Sequence, residues 1–213
     1  MRALILGNGS PPPLSLFTAL HAKSSLLIAA DGGGNWCMEQ GVEPDVVVGD
    51  IDSFDVDLYP SMNVIKDADQ ETNDLEKAMN LALERGVTDV LLAGTTGLRL
   101  DQTLKNISVL VQFRTAFNSI KMFDALGWMV ILPEEYAFSV SPGTTVSLFP
   151  VSGRVDGIST EGLEFALHNE FLQNGIRDGS SNKSISDTVR IVHTKGDLLL
   201  MVYDENRSLG KFD

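Results

Sequence analysis

The chain has 213 residues, 43% hydrophobic and 21% charged, which is enough apolar material for one large core or two small ones and too much for a disordered tail. A formal net charge of −13 argues against wrapping a nucleic-acid backbone. A single cysteine, Cys37, excludes an internal disulfide framework and a cysteine-based zinc cluster, and no apolar run reaches the roughly 18 residues of a membrane-spanning helix.

The first apolar run, Ala3-Leu4-Ile5-Leu6, ends at Gly7-Asn8-Gly9 and reads as a strand rather than as a secretory leader. Three more runs of the same kind follow. Leu26-Leu27-Ile28-Ala29-Ala30 precedes Asp31-Gly32-Gly33-Gly34, Val46-Val47-Val48 precedes Gly49-Asp50-Ile51-Asp52-Ser53, and Val90-Leu91-Leu92-Ala93 precedes Gly94-Thr95-Thr96-Gly97. Continuous apolar runs of this length suit strands buried on both faces of a parallel sheet. Cys37 falls in a helix beside Trp36, in a packing role. Leu75, Ala78, Met79, Ala82 and Leu83 repeat at helical spacing up to Gly86. Leu100, Leu104, Ile107 and Val111 stripe a further helix, with Asp101 placed to cap its start. Strands alternating with helices predict a doubly wound α/β domain, mostly parallel, over residues 1–135. Beyond that, short β-rich pieces at 136–140, 144–149, 163–167, 188–193 and 198–203 lie between Gly, Ser, Pro and Asn. They predict a small all-β, sandwich-like domain over 136–213, which needs a neighbouring surface to bury enough of itself.

The charge is unevenly spread. Residues 1–30 carry +2, residues 31–76 carry −12 and residues 77–213 carry −3. All four glycine/aspartate motifs follow a strand, and in open α/β sheets ligands bind beyond the carboxyl ends of the strands, so the motifs should converge on one edge. Asp50 and Asp52, at i and i+2, point to one side if the extended geometry persists. Two hard oxygen ligands with open positions suit Mg²⁺ carrying a substrate phosphate. Asp31, and Asp69, Glu71 and Asp74 before the next helix, add carboxylates that would repel one another without a cation. In Gly94 to Asp101, glycines let backbone approach phosphate oxygens, the helix start favours an anion, and Arg99 can pair with phosphate through two parallel bonds. No Walker A motif, serine elbow or histidine zinc spacing occurs. A metal-loaded acidic edge without a covalent nucleophile points to phosphoryl-type transfer by positioning and electrostatics.

In chain order these motifs resemble the thiamine pyrophosphokinase family. Ala30-Asp31-Gly32-Gly33-Gly34-Asn35 is similar to the family's Ala-Asp-Gly-Gly-Ala-Asn, and Pro44-Asp45 with Gly49-Asp50-Ile51-Asp52-Ser53 to its Pro-Asp…Gly-Asp-x-Asp-Ser. Gly94 to Asp101 resembles Gly-x-x-Gly-Gly-Arg-x-Asp, and Asn106 a later asparagine. Gly162-Leu163-Glu164-Phe165 and Ser180-Ser181-Asn182 resemble its Gly-Leu-x-aromatic and Ser-Asn signatures. The resemblance implies transfer of the pyrophosphoryl group of ATP to thiamine with release of AMP. It also implies a homodimer whose thiamine site is shared between subunits, and it agrees with the Mg²⁺-dependent transfer without a covalent intermediate read from the residues. The single cysteine points to a reducing cytoplasm. By carry-over Asp50, Asp52 and Asp74 hold the metal, and these three act in catalysis with Arg99 and Asp101. Asp31, Gly32, Ser53, Gly94, Gly97 and Asn106 lie on the ATP side, and Ser181 and Asn182 on the thiamine side. Three departures stand out: Asn73 replaces a threonine, Glu71 an aspartate and Gln102 a histidine. Some relatives also carry a C-terminal stacking tryptophan, whereas this chain has only Trp36 and Trp128. Two alternatives use the same residues: a Mg²⁺-dependent hydrolase of a nucleotide or pyrophosphate ester, and a non-catalytic nucleotide or thiamine sensor.

Overall fold

In the computed structural model, residues 1–204 are described. The chain divides into two compact units, Met1–Ala125 and Leu126–Asp213. The division precedes the strand at Gly127–Ile131, whose apolar run looks the same in sequence as those of the first unit.

The first unit holds six strands: β1 (Arg2–Leu6), β2 (Leu26–Ala30), β3 (Val46–Gly49), β4 (Val64–Lys66), β5 (Asp89–Ala93) and β6 (Ser119–Phe123). They run parallel in the order β6-β5-β1-β2-β3-β4. Four helices accompany them: α1 (Leu14–His21), α2 (Gly33–Glu39), α3 (Asp74–Glu84) and α4 (Leu100–Phe113). The apolar runs of β1, β2, β3 and β5 are buried from their second residue or earlier, as parallel strands covered on both faces must be. The chain moves outward from β1 through β4 and then returns to lay β5 on the other side of β1. The loops after β1 and β5 therefore lie side by side at this reversal, the place where doubly wound sheets bind their ligands.

Helix α3 forms where its periodicity places it. Asn73 caps its start, accepting from the Glu76 amide at 3.0 Å, and Leu75, Ala78, Met79 and Ala82 are buried. Gly86, at φ 72°, takes the left-handed conformation just past its end. Helix α4 corrects two expectations. Its buried side chains are Val109, Leu110 and Phe113, while Leu100 and Leu104 are 71% and 58% exposed. The helix is apolar on two faces, and its buried side chains all lie in its last turns. Its N-cap is Arg99, without a side-chain bond to the helix start. Asp101, in the first turn, accepts instead from Arg99 and from the Gln102 amide.

The second unit contains β7 (Gly127–Ile131), β8 (Glu135–Ser139), β9 (Thr145–Pro150), β10 (Val155–Glu161), β11 (Glu170–Leu172), β12 (Gly179–Lys183), β13 (Thr188–Val192) and β14 (Leu198–Tyr203). They pair antiparallel as β12-β9-β14-β7 and β11-β10-β13-β8. Val146, Leu148, Ile158, Val189, Ile191 and Leu200 form the core. The run at 163–167 makes no strand. Leu163 contributes one bridge to Ser184, and both Leu163 and Leu167 are buried, so the pattern reports core packing rather than pairing. The expected class, an α/β domain followed by a small all-β domain, is the one observed. Among the described residues no helix is long and apolar enough to cross a membrane. Cys37 is fully buried in α2, and burial pushes its thiol up to about 12, which leaves it inert.

One buried carboxylate ties α3 to α4. Glu76 accepts from Lys105 Nζ at 2.8 Å and from Gln112 Nε2 at 2.7 Å. Burial alone would raise its pKa, but the hydrogen bonds from Lys105 and Gln112, with the Lys105 charge, outweigh it and hold the carboxyl below the ordinary glutamate range. A depressed folded-state pKa contributes stability above the unfolded value that is lost as pH falls through the folded one. The melting temperature of Glu76→Gln should therefore lie furthest below wild type near neutral pH and approach it on acidification; a gap independent of pH would show that the charge contributes nothing.

Candidate active site

Three carboxylates meet at the carboxyl edge of the first unit. Asp31 follows β2, Asp50 follows β3 and Asp74 opens α3. One oxygen from each lies within 4.8 Å of the others. Asp31 is 2% exposed and adopts φ 44°, a left-handed turn that aspartate tolerates. Its Oδ1 accepts from the amides of Ser53 at 3.3 Å and Phe54 at 3.1 Å, so the Asp50 loop is folded back over it. The Asp50 amide donates to Asp74 Oδ1 at 3.3 Å. Gly49 is required where these groups meet, because a Cβ there would lie 2.9 Å from Asp31 Cβ and 2.9 Å from Asp74 Oδ1. Burial raises the pKa of Asp74. The Asp50 amide and the Lys77 charge act against that rise, and the charges of Asp31 and Asp50 add to it.

The extended geometry assumed for Asp50 and Asp52 does not persist. Ile51 takes φ 62°, the Asp52 amide turns back onto Asp50 Oδ1 at 3.3 Å, and the exposed Asp52 carboxylate accepts from Ser53 Oγ at 2.9 Å. Asp31 thus stands beside Asp50 and Asp74 in the position that the i, i+2 spacing gave to Asp52. Asp69 is a turn acid, its carboxyl lowered by hydrogen bonds from Thr72 Oγ1 and the Glu71 amide.

The two loops at the sheet reversal are laced together. Gly7 N donates to Ala93 O at 2.9 Å, Gly9 N to Gly94 O at 2.6 Å and Ser10 N to Thr96 O at 2.8 Å. A Cβ at Gly9 would stand 2.5 Å from Thr96 O, which makes glycine obligatory at this approach. Arg99 donates two parallel hydrogen bonds to Asp101, Nε to Oδ1 at 3.1 Å and Nη2 to Oδ2 at 2.5 Å, with both side chains largely exposed. Asn106 uses both ends of its amide. It accepts from Asn73 Nδ2 at 2.8 Å and donates to Thr95 O at 2.7 Å, linking the start of α3 to the loop after β5. Beside that link, the buried Thr95 Oγ1 has no hydrogen-bond partner.

These groups line one cavity of about 580 Å³, whose walls include Gly9, Asp31, Asp50, Asp52, Asp74 and Arg99. Ser53, Gly97 and Asn106 line it too, whereas Gly32, packed against the Asn8 side chain, and Gly94, within the laced loops, support the wall. Ser181 and Asn182 belong to β12 of the second unit. The Asn182 amide is engaged with the backbone of Phe165, while Ser181 is exposed at φ 59°. Sequence reasoning missed Lys77. Its side chain is 3% exposed, its Nζ donates to Asp67 O at 2.9 Å and lies 3.5 Å from Asp74 Oδ1. The signal was present as an Asp–Lys pair at i, i+3.

The catalytic-domain model of thiamin pyrophosphokinase matches residues 17–123, and the vitamin B1 binding domain model of the same enzyme matches residues 131–199. The chain belongs to the thiamin pyrophosphokinase family. The family's catalytic-domain span takes in Asp31, Asp50, Asp74 and Arg99, and the second span takes in Ser181 and Asn182. The chain is 25% identical over 214 residues to the thiamine pyrophosphokinase of Bacillus subtilis, covering 94% of this chain and 98% of that one. It is 26% identical over 204 residues to thiamine pyrophosphokinase 1 of Oryza sativa subsp. japonica, covering 81% and 76%. The crystal structure of the Bacillus subtilis enzyme shares the fold at a TM-score of 0.82 and 23% identity, covering 96% of this chain and all of the other. Membership makes the chain an enzyme.

The threonine-to-asparagine departure at position 73 has a structural account. Asn73 caps α3 as a threonine can, and its longer amide also reaches Asn106. Asn73→Ala should cost about 1–2 kcal/mol in thermal or urea unfolding, and Asn73→Thr should recover most of it. Unchanged stability in Asn73→Ala would show that the cap holds nothing.

Proposed function

We propose that the chain transfers the pyrophosphoryl group of ATP to the primary hydroxyl of thiamine, giving thiamine diphosphate and AMP in a Mg²⁺-dependent reaction without a covalent intermediate. The observation that carries this reading is the meeting of Asp31, Asp50 and Asp74 at the mouth of a crevice walled by glycine loops, in a chain of this family.

The donor set fits the metal. Three carboxylates with no histidine or thiolate among them are hard oxygen ligands, the type Mg²⁺ prefers. Asp31, Asp50 and Asp74 would hold it, with Asp52 on the cavity wall outside them. Bound there, the cation supplies neutralisation of the phosphate charge. The glycines of the loop after β5 let the triphosphate approach its backbone closely, while the Gly7, Gly9 and Ser10 amides, spent on the carbonyls of Ala93, Gly94 and Thr96, hold that loop in place. Arg99, oriented by Asp101, meets the charge that builds on the transferred group. The hydroxyl oxygen of thiamine forms a bond to the β-phosphorus while the bond from that phosphorus to the α-bridging oxygen breaks. AMP leaves, and a carboxylate of this edge takes the hydroxyl proton. The same acidic edge favours the fixed positive charge of thiamine.

The family resemblance supports a homodimer in which Ser181 and Asn182 of one copy help to seat thiamine for its partner. The lone buried thiol is compatible with a reducing cytoplasm.

Purified protein with ATP, Mg²⁺ and thiamine should yield AMP and thiamine diphosphate in equal amounts, with both lost in EDTA. Asp50→Asn should lower kcat at least about 100-fold with an unchanged circular dichroism spectrum. ATP breakdown independent of thiamine would replace this reading with a hydrolase, and ligand binding without AMP would replace it with a sensor.

A further inference from the structure

Three charged side chains of the first unit are almost completely buried: Asp31, Glu76 and Lys77. Two accept from two donors each. Asp31 accepts from the Ser53 and Phe54 amides, and Glu76 from Lys105 and Gln112. Lys77 differs. Its Nζ has one carbonyl, Asp67 O at 2.9 Å, and its nearest anion is Asp74 Oδ1 at 3.5 Å, long for a committed ion pair. An ammonium out of water needs compensating charge. That compensation comes from the carboxylate triad as a whole, since Asp74 Oδ1 also accepts from the Asp50 amide and is one corner of the group with Asp31 and Asp50.

The charge arithmetic is then simple. Without a cation the triad carries three negative charges within a few ångströms, and Lys77 offsets one of them. The remaining two match a single divalent ion. Lys77 lines the cavity, but its side chain is only 3% exposed and its Nζ is turned to Asp67 O and Asp74 Oδ1, so its charge acts first on the carboxylates. Its position beneath Asp74 leaves it two effects, both electrostatic. It relieves repulsion among the carboxylates when no metal is bound, and it opposes the approach of a metal when one arrives.

We propose that Lys77 is the built-in counter-ion of the triad, a positioning residue that holds the metal-free site together and weakens its grip on a lone divalent cation, so that the ion is taken up together with nucleotide phosphates. This rests on the metal reading above and goes beyond it by assigning an antagonist to the three ligands. Removing the charge should tighten metal binding even as it loosens the metal-free protein, a pair of opposed effects that lost packing alone would not produce.

The test is Mn²⁺ binding at pH 8 without nucleotide, followed by electron paramagnetic resonance, on wild type, Lys77→Met, Lys77→Gln, Lys77→Arg and, as ligand control, Asp74→Asn. Lys77→Met and Lys77→Gln should bind Mn²⁺ about ten-fold tighter than wild type or more. They should melt lower in EDTA and gain more on adding Mn²⁺, while Lys77→Arg stays within about three-fold of wild type. Equal or weaker binding in whichever neutral variant is folded overturns the proposal. The underlying metal reading fails separately, and takes the proposal with it, if wild type binds no Mn²⁺ or if Asp74→Asn binds as wild type does.

Discussion

Carboxylates repel one another, and much of the first unit's carboxyl edge can be read as the means of keeping three of them within 4.8 Å. Asp31 is bound in place by two amides of the loop that carries Asp50, and the Asp50 amide in turn grips Asp74. Each acid therefore restrains the next through backbone rather than through a cation. Asn73 fixes where α3 begins, and hence where Asp74 stands, while Lys77 lies beneath the group as the nearest positive charge. At Asp74 burial works against the ionised carboxylate, and the Asp50 amide and the Lys77 charge work for it.

The second constraint is closeness of backbone at the sheet reversal. The loops after β1 and β5 share hydrogen bonds at 2.6–2.9 Å and leave no room for a Cβ at Gly7 or Gly9. Asn106 joins this pair of loops to the cap of α3, so the glycine wall and the acidic wall of the cavity are fastened to one another. The transfer proposed above, by positioning of two charged substrates, needs such a frame more than it needs any single reactive group.

Much of this was legible in the sequence, because the strongest signals were also the physically simplest. β1, β2, β3 and β5 are buried on both faces, and a strand so placed can only be apolar throughout. The glycine/aspartate motifs then had to fall at the carboxyl edge, and their order carried a family resemblance that both matching domain models bear out. What was not legible depends on tertiary choice. Helix α4 offers two apolar faces, and nothing in its period says that Val109, Leu110 and Phe113 bury while Leu100 and Leu104 do not. The i, i+2 spacing of Asp50 and Asp52 holds only for extended backbone, and the left-handed Ile51 removes that premise. Asp31 was legible as part of the acidic edge, but that it stands with Asp50 and Asp74 where Asp52 was expected depends on the pairing of β2 with β3 and on the turn at Ile51. Lys77 belongs to no motif that the sequence singles out, yet it is among the most buried charges of the unit.

The claim on which the functional account turns is that these carboxylates share one divalent cation. Crystals grown with Mn²⁺ and a non-hydrolysable ATP analogue, measured at a wavelength where manganese scatters anomalously, address it directly. The account predicts an anomalous peak ligated by oxygens of Asp31, Asp50 and Asp74 and by the analogue's phosphates. A fully occupied analogue with no peak at that group, or with manganese held elsewhere by Asp69 and Glu71, would contradict it.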